Sequence, residues 1–287
     1  MLSKWVLNSQ VKPQSESTVQ QAISFMATHE NLLFVMDNLS SLTIYEKVYT
    51  SEFKLRNSAK LNVPNVRGMA VNGSYVAVAY SSLKKDQLKG TFKNANPAGV
   101  ILYKREQHVV CTVHEKMVDL SKNESFKNIN SIALSDKHLF VCEKELRSVL
   151  QYDLKTGNLL KTAVIANGEP YSISVNSSYV CVTDQVNSNL YVFSVDNLEQ
   201  ISGVSLKPID QVNGALNVLI TDENLIFVKT SDNQVTLLDS TLEHRACFNE
   251  IQFRVIDMAL IKDNSNQMLI VGCMNNKSQY KLFGYAG

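Results

Sequence analysis

A five-residue apolar motif recurs six times along this chain and leaves few folds open to it. The copies are Leu33–Asp37 (LFVMD), Val76–Tyr80 (VAVAY), Leu139–Glu143 (LFVCE), Val180–Asp184 (VCVTD), Ile226–Thr230 (IFVKT) and Leu269–Cys273 (LIVGC). Their central valines step by 43, 63, 41, 46 and 43 residues, which is the period of a propeller blade rather than of a helical array. Five copies are preceded by a smaller apolar triad: Met69–Val71, Ile132–Leu134, Ile173–Val175, Val218–Ile220 and Met258–Leu260. Phe25–Ala27 is a looser version of the triad in the first repeat.

Each repeat reads as a four-stranded antiparallel meander. The triad supplies a first strand and the motif a second, followed by an alternating third such as Ser148–Leu154 or Asn189–Ser194 and an outer, more variable fourth such as Leu159–Ile165. The second strand is unbroken in its apolar character because sheets stack on both of its faces. A lone blade cannot cover those faces, whereas a closed circle of blades can. The expected fold is therefore all-β, a six-bladed β-propeller.

The last repeat reaches its third strand at Gln279–Phe283 and the chain ends at Gly287, one strand short of a blade. A strand-like segment at about residues 4–9, Lys4-Trp5-Val6-Leu7-Asn8 and its neighbour, is expected to fill that place, so that the N- and C-terminal strands pair and close the ring. Trp5 is expected to pack against it.

Composition fits a single propeller domain over residues 1–287. No Pro/Gly/Ser linker, low-complexity tract or charge block marks a boundary. The balance of 28 basic against 27 acidic side chains leaves no global field for nucleic acid or an anionic membrane, so DNA is not an expected partner. No apolar run approaches the roughly 18 residues that span a bilayer, and the first residues lead into a polar stretch. These features point to a cytoplasmic, or nuclear, protein. The five cysteines fit, since Cys142, Cys181 and Cys273 fall in second strands and none forms a C-x-x-C pair. Five N-x-S/T sequons, at Asn38, Asn72, Asn123, Asn176 and Asn276, read as turn asparagines.

Two stretches carry a family resemblance. Pro64-Asn65-Val66-Arg67-Gly68-Met69-Ala70-Val71 and Pro170-Tyr171-Ser172-Ile173-Ser174-Val175 each lead through a turn into a second strand, and Val182 to Phe193 reads V-T-D-Q-V-N-S-N-L-Y-V-F. This pattern resembles the NHL repeat, from about residue 22 to the end, with the fourth repeat carrying it most fully. The resemblance implies a recognition platform, because NHL propellers serve as protein-interaction or single-stranded RNA-binding modules.

Catalytic signatures are missing: there is no G-x-S-x-G elbow, H-E-x-x-H helix, G-x-x-x-x-G-K-[ST] loop or G-x-G-x-x-G fingerprint. The histidines at 29, 108, 114, 138 and 244 scatter among predicted turns and outer strands, and His29 and His138 read as solvated turn residues. One constellation does emerge from the repeat. Eleven residues before the central valine stand Ser24, Arg67, Asn130, Tyr171 and Asn217, and the longer last repeat offers Asp257. In a propeller these positions ring the mouth of the central channel. A ring of Asn, Asp and nearby Glu169 is the oxygen cage that suits Ca²⁺, as in six-bladed lactonase-type hydrolases. Arg67 would put a positive charge into that cage, so neither a metal nor another cofactor is expected.

The 63-residue step marks an insertion at Ser81–Ala98, between the second and third strands of the second repeat. It carries Lys84, Lys85, Lys89 and Lys93 against the single acid Asp86. A lysine-rich loop on a rigid scaffold can grip an acidic protein surface or phosphates, although Phe92 is its one aromatic and RNA platforms use several. The expected function is a non-enzymatic interaction module with a protein partner. Binding is expected through Arg67, Lys84, Lys85, Lys89, Lys93, Asn130, Tyr171, Asn217 and Arg254. Single-stranded RNA binding of the NHL type, through the basic loop and the channel-mouth residues, is the first alternative, and a Ca²⁺-dependent lactonase-like hydrolase is the second.

Overall fold

The computed structural model describes residues 15–19, 22–37, 39–49, 52–61, 63, 65–82, 96–105, 113–119, 126–207, 214–231, 233–248, 254–263, 266–275 and 279–286. Its strands form six four-stranded antiparallel sheets, with no helix among the described residues. Blade 1 consists of β2 (Phe25–His29), β3 (Leu32–Met36), β4 (Ser41–Tyr49) and β5 (Glu52–Lys60), and blade 2 of β6 (Val66–Val71), β7 (Tyr75–Ser82), β8 (Asn96–Arg105) and β9 (Val113–Asp119). Blade 3 holds β10 (Ile129–Leu134), β11 (His138–Glu143), β12 (Ser148–Asp153) and β13 (Leu159–Val164). Blade 4 holds β14 (Pro170–Val175), β15 (Tyr179–Asp184), β16 (Asn189–Ser194) and β17 (Gln200–Ser205). Blade 5 holds β18 (Ala215–Ile220), β19 (Ile226–Thr230), β20 (Val235–Leu238) and β21 (His244–Phe248).

Blade 6 is built from both ends of the chain. Its strands β22 (Arg254–Asp263), β23 (Asn266–Met274) and β24 (Tyr280–Ala286) are joined by β1 (Ser15–Val19), which runs antiparallel to β24 with Ser15 opposite Gly284 and Val19 opposite Tyr280. The N-terminal strand β1 thus closes the ring. The strand that does so is Ser15–Val19; the segment at residues 4–9 expected in that place, Trp5 included, lies outside the described residues. The first strands stand side by side in the order β2, β6, β10, β14, β18, β22, and β22 returns to β2. The architecture is a six-bladed β-propeller.

Six apolar clusters sit at the six seams between neighbouring blades, and they explain the unbroken second strands. Successive side chains of a strand point to opposite faces. In β11, Leu139 and Val141 enter the cluster shared with blade 2, whereas Phe140 and Cys142 enter the one shared with blade 4. In β19, Ile226 and Val228 face blade 4 while Phe227 faces blade 6. A second strand has no solvent face, so alternation with polar residues would bury unpaired polar groups.

Polar side chains set the turns at both ends of the blades. Between the first and second strands, Asn72 accepts from the amides of Ser74 (2.9 Å) and Tyr75 (2.8 Å) and donates to the Ser135 carbonyl of blade 3 at 2.7 Å. Asn176 repeats this, accepting from Ser178 and Tyr179 and donating to the Thr221 carbonyl of blade 5 at 2.7 Å. Both are buried, so these two sequons are structural pins, as expected of turn asparagines. The other three sequon asparagines lie outside the described residues. At the opposite end the second strands of blades 1, 3 and 4 lead into buried acids. Asp37 accepts the amides of Leu39 and Ser41, Glu143 those of Lys127, Asn128 and Leu146, and Asp184 those of Glu169, Val186 and Asn187. The Asp and Asn of the V-x-D-x-x-N pattern are therefore turn-building residues here, since Asn187 donates to Asp184 at 2.7 Å.

Candidate functional site

The six first strands surround a central cavity of about 640 Å³. Their starting ends, together with the turns between second and third strands, define one face of the propeller. On this face five of the six first strands carry a β-bulge, between Val66 and Gly68, Ile129 and Ser131, Pro170 and Ser172, Ala215 and Asn217, and Val255 and Asp257. A bulge sets two residues against one on the partner strand and re-aims the extra side chain. The extra residues are Arg67, Asn130, Tyr171, Leu216 and Ile256, with Ser24 at the matching place beside Met36 in blade 1.

The register corrects the expected ring in two blades. Ser24, Arg67, Asn130 and Tyr171 occupy equivalent positions, but Asn217 and Asp257 stand one residue further along, where blades 2, 3 and 4 have Gly68, Ser131 and Ser172. The count back from the central valine slips in blade 5 because its first turn is longer, closing with Thr221 N–H on the Leu225 carbonyl where blade 4 closes Asn176 on Tyr179. In blade 6, β22 and β23 continue their ladder out to Asp263 and Asn266, and the place matching the other blades is Ile256, one residue before the Asp257 expected from the strand start. Arg67, Asn130, Tyr171, Asn217 and Arg254 nevertheless all line the one cavity. Arg67 and Arg254 are exposed, Tyr171 is half-buried, and Asn130 donates to the Pro170 carbonyl of the next blade at 2.9 Å.

The position after the bulge joins blades. Ser172 Oγ accepts the Val218 amide of blade 5 at 3.2 Å. At the same place in blade 6, Asp257 Oδ2 accepts the Met26 amide of blade 1 at 2.7 Å. Asp257 Oδ1 takes two further bonds, from the Met258 amide at 2.9 Å and from Asn217 Nδ2 at 2.7 Å. One carboxylate thus fastens blade 6 to blade 1 and to blade 5. Burial pushes its pKa up to about 6, against the lowering effect of its amide donors and of Lys229.

Lys229 is the unexpected member of the site. It is the fourth residue of β19, opposite Asn217, and is only 9% exposed. Alternation along the strand turns it toward blade 6, where its ammonium donates to the Ile256 carbonyl at 3.2 Å and lines the cavity. Thr183 makes the corresponding reach in blade 4, to the Leu216 carbonyl. Burial lowers the Lys229 pKa, Arg254 adds to the lowering and Asp257 opposes it. The equivalent residue of blade 6 is Gly272, where a Cβ would come within 2.9 Å of Met26 Sδ. The signal for Lys229 lay in the repeat itself: IFVKT is the one motif copy with a charged residue at its fourth position.

The far end of the cavity differs in charge. There Lys262 pairs with Asp222, and His29 Nε2 lies 3.8 Å from Glu30. His29 is the last residue of β2 and lines the cavity, half-buried, rather than standing in a solvated turn. Burial first, and then Arg105, push its pKa below the usual value.

On the bulge-bearing face, Lys127 stands just before β10 and Lys144 and Arg147 in the turn between β11 and β12, with Lys144 paired to Glu169 at 3.0 Å. The turns between second and third strands present exposed apolar tips at Leu39, Leu146 and Val186. β7 ends and β8 begins on this same face; Lys84, Lys85, Lys89 and Lys93 lie outside the described residues. Among the described residues no group of His, Cys, Asp and Glu is placed to hold a metal ion. No protein-family model and no curated protein matches this chain.

Proposed function

We propose that this protein is a non-enzymatic interaction module that docks a protein partner on the bulge-bearing face. The propeller fold commonly serves as an interaction scaffold. The observation that carries the reading is the make-up of that face: exposed Leu39, Leu146 and Val186 on three turn tips stand around a channel mouth bearing Arg67, Tyr171 and Arg254. Tyrosine and arginine are the residue types enriched at protein-binding hot spots, and exposed apolar tips around them supply area that a partner can bury. Against a hydrolase reading, the Asp257 carboxylate is committed to three donors and stands beside an ammonium, which suits a structural tie better than a cation ligand or a general base.

The test is a partner isolated from the native source by cross-linking, then measured quantitatively against two variants. Leu39→Ser, Leu146→Ser and Val186→Ser combined should weaken binding at least about tenfold. Leu159→Ser, Val164→Ser and Ile201→Ser, which change exposed residues of the outer strands β13 and β17, should leave it unchanged. The reverse pattern would move the docking surface to the blade edges and end this reading.

Single-stranded RNA is the second reading, in line with the NHL resemblance. Tyr171 at the mouth, with Arg67 and Arg254, supplies a stacking ring and phosphate contacts. An oligonucleotide whose affinity falls steeply with salt and is lost on Tyr171→Ala would favour it. We place the protein in a reducing compartment, which the buried, engaged amides of Asn72 and Asn176 support because they leave no room for a glycan. No helix among the described residues is long and apolar enough to cross a membrane.

A further inference from the structure

The cavity is electrically polarised along its axis. At the bulge-bearing end its charged lining residues are Arg67, Lys229 and Arg254 against Asp257 alone. At the other end they are Lys262 against Glu30 and Asp222, and Lys262 is already paired. The single carboxylate at the positive end is not a counter-ion in contact with Lys229. Its oxygens are taken by the Met26 and Met258 amides and by Asn217, and no Lys229–Asp257 ion pair forms among the described residues.

Lys229 is therefore a buried cation with one neutral partner. An ammonium has three donors, and here the Ile256 carbonyl takes one. Removing a charge from water without an anion in contact is costly; Asp257 favours the charge from a distance, and repulsion by Arg254 offsets part of that effect. An anion brought to this end of the cavity would satisfy the remaining donors and relieve that repulsion. Arg254 and Arg67, exposed at the mouth, offer planar forks matched to carboxylate or phosphate oxygens. A volume of about 640 Å³ lies within the range of small-molecule sites.

We propose that the channel is a binding site for a small organic anion, a carboxylate or a phosphate ester, which enters past Arg67 and Arg254 and is held by the Lys229 ammonium. This site works from inside the ring and does not depend on a protein docking on the face. A cationic ligand is repelled by the three cations, and a neutral one gains no charge-assisted bond from them. The axial polarity gives the site a direction: an anion is drawn in from the bulge-bearing end and repelled by Glu30 at the other.

The experiment is calorimetric titration of the full chain with citrate and, separately, with pyrophosphate, at constant ionic strength set by chloride. At least one of the two should bind saturably at a single site, and the one that binds more tightly tells carboxylate from phosphate chemistry. Lys229→Met and Arg254→Ala should each weaken that binding by about tenfold or more, since each removes a charge-assisted bond. Lys161→Ala, on the outer strand β13, should not change it. If Lys229→Met does not fold, Arg254→Ala carries the test, because Arg254 is exposed and supports no described core contact. No saturable binding of either anion up to about 10 mM, or binding that Arg254→Ala leaves unchanged, would overturn the proposal.

Discussion

The seam between blades 4 and 5 and the seam between blades 6 and 1 use the same register position for the same task, with different chemistry. At the first, a neutral hydroxyl, Ser172 Oγ, accepts the Val218 amide, and Ser174 Oγ accepts that of Ile220 at 3.1 Å. At the second, a buried carboxylate, Asp257, accepts the Met26 amide and also gathers Asn217 and Met258, while Thr28 donates to the Leu260 carbonyl at 2.5 Å. The 4–5 seam joins blades that are consecutive in the chain. The 6–1 seam joins strands more than two hundred residues apart, with only β1 carrying the chain from one blade to the other. A charged acceptor makes stronger bonds than a hydroxyl, and the propeller places it where the chain lends least help. The cost is a group whose strength depends on pH.

The largest effect that bears on this comparison is loss of the closing strand. Truncation through Gln20 removes the partner of β24 and bares the edge from Tyr280 to Gly284. We expect a loss of roughly 5 kcal/mol, at about 1 kcal/mol for each ladder bond, measured by urea unfolding. A truncated chain with an unchanged midpoint would show that blade 6 closes without β1.

Next come the two latches themselves. Asp257→Ala strands the Met26 and Met258 amides and the Asn217 side chain and removes the nearest negative charge to Lys229, which should cost about 3 kcal/mol or more at pH 7. Ser172→Ala strands the Val218 amide and should cost about 1 kcal/mol. Equal losses in the two variants would erase the distinction between the seams.

Acid should separate them in a different way. The Asp257 carboxyl titrates near 6 in the folded protein and near 3.9 when unfolded, so folding takes up a proton between about pH 4 and pH 6. Its contribution is greatest at the acid end of that window, declines as pH rises through it and is constant above it, a change on the order of 2–3 kcal/mol. Asp257→Asn should flatten this part of the stability profile, while Ser172→Ala should keep its slope. A wild-type profile that rises from pH 4 to 6 and is unaffected by Asp257→Asn would refute the assignment.

The smallest effect belongs to the mouth. Arg67→Ala removes an exposed side chain on the bulge and should change stability by less than about 0.5 kcal/mol, as thermal melting would show. A larger loss would mean that Arg67 ties blades together like Asp257, and that the mouth is structural rather than free to bind.

The blades were readable from local pattern alone. Motifs such as LFVCE and VCVTD have apolar residues on both faces, and only a strand clasped between two sheets tolerates that, so blade number and strand order follow without any long-range knowledge. The turn asparagines Asn72 and Asn176 were equally legible, because their bonds run mainly to residues two and three positions away. The channel ring was partly legible. Counting from a central valine found Ser24, Arg67, Asn130 and Tyr171, but it assumed first turns of equal length, so the longer turn of blade 5 put Asn217 one place off. In blade 6, where β22 and β23 run further, the strand start at Asp257 is likewise one place beyond the bulge.

What the sequence by itself determined is the repeat: six units, four strands each, with second strands buried on both faces, because period-two side-chain direction and apolar continuity are properties of neighbouring residues. Only the tertiary structure decided which N-terminal segment closes the ring, since pairing of Ser15–Val19 with β24 depends on where the sixth blade arrives in space. It also decided that Lys229 reaches the channel and that Asp257 is a latch. Both outcomes depend on which backbone groups the next blade presents, the Ile256 carbonyl in one case and the Met26 amide in the other, and no local pattern encodes a partner supplied by another blade.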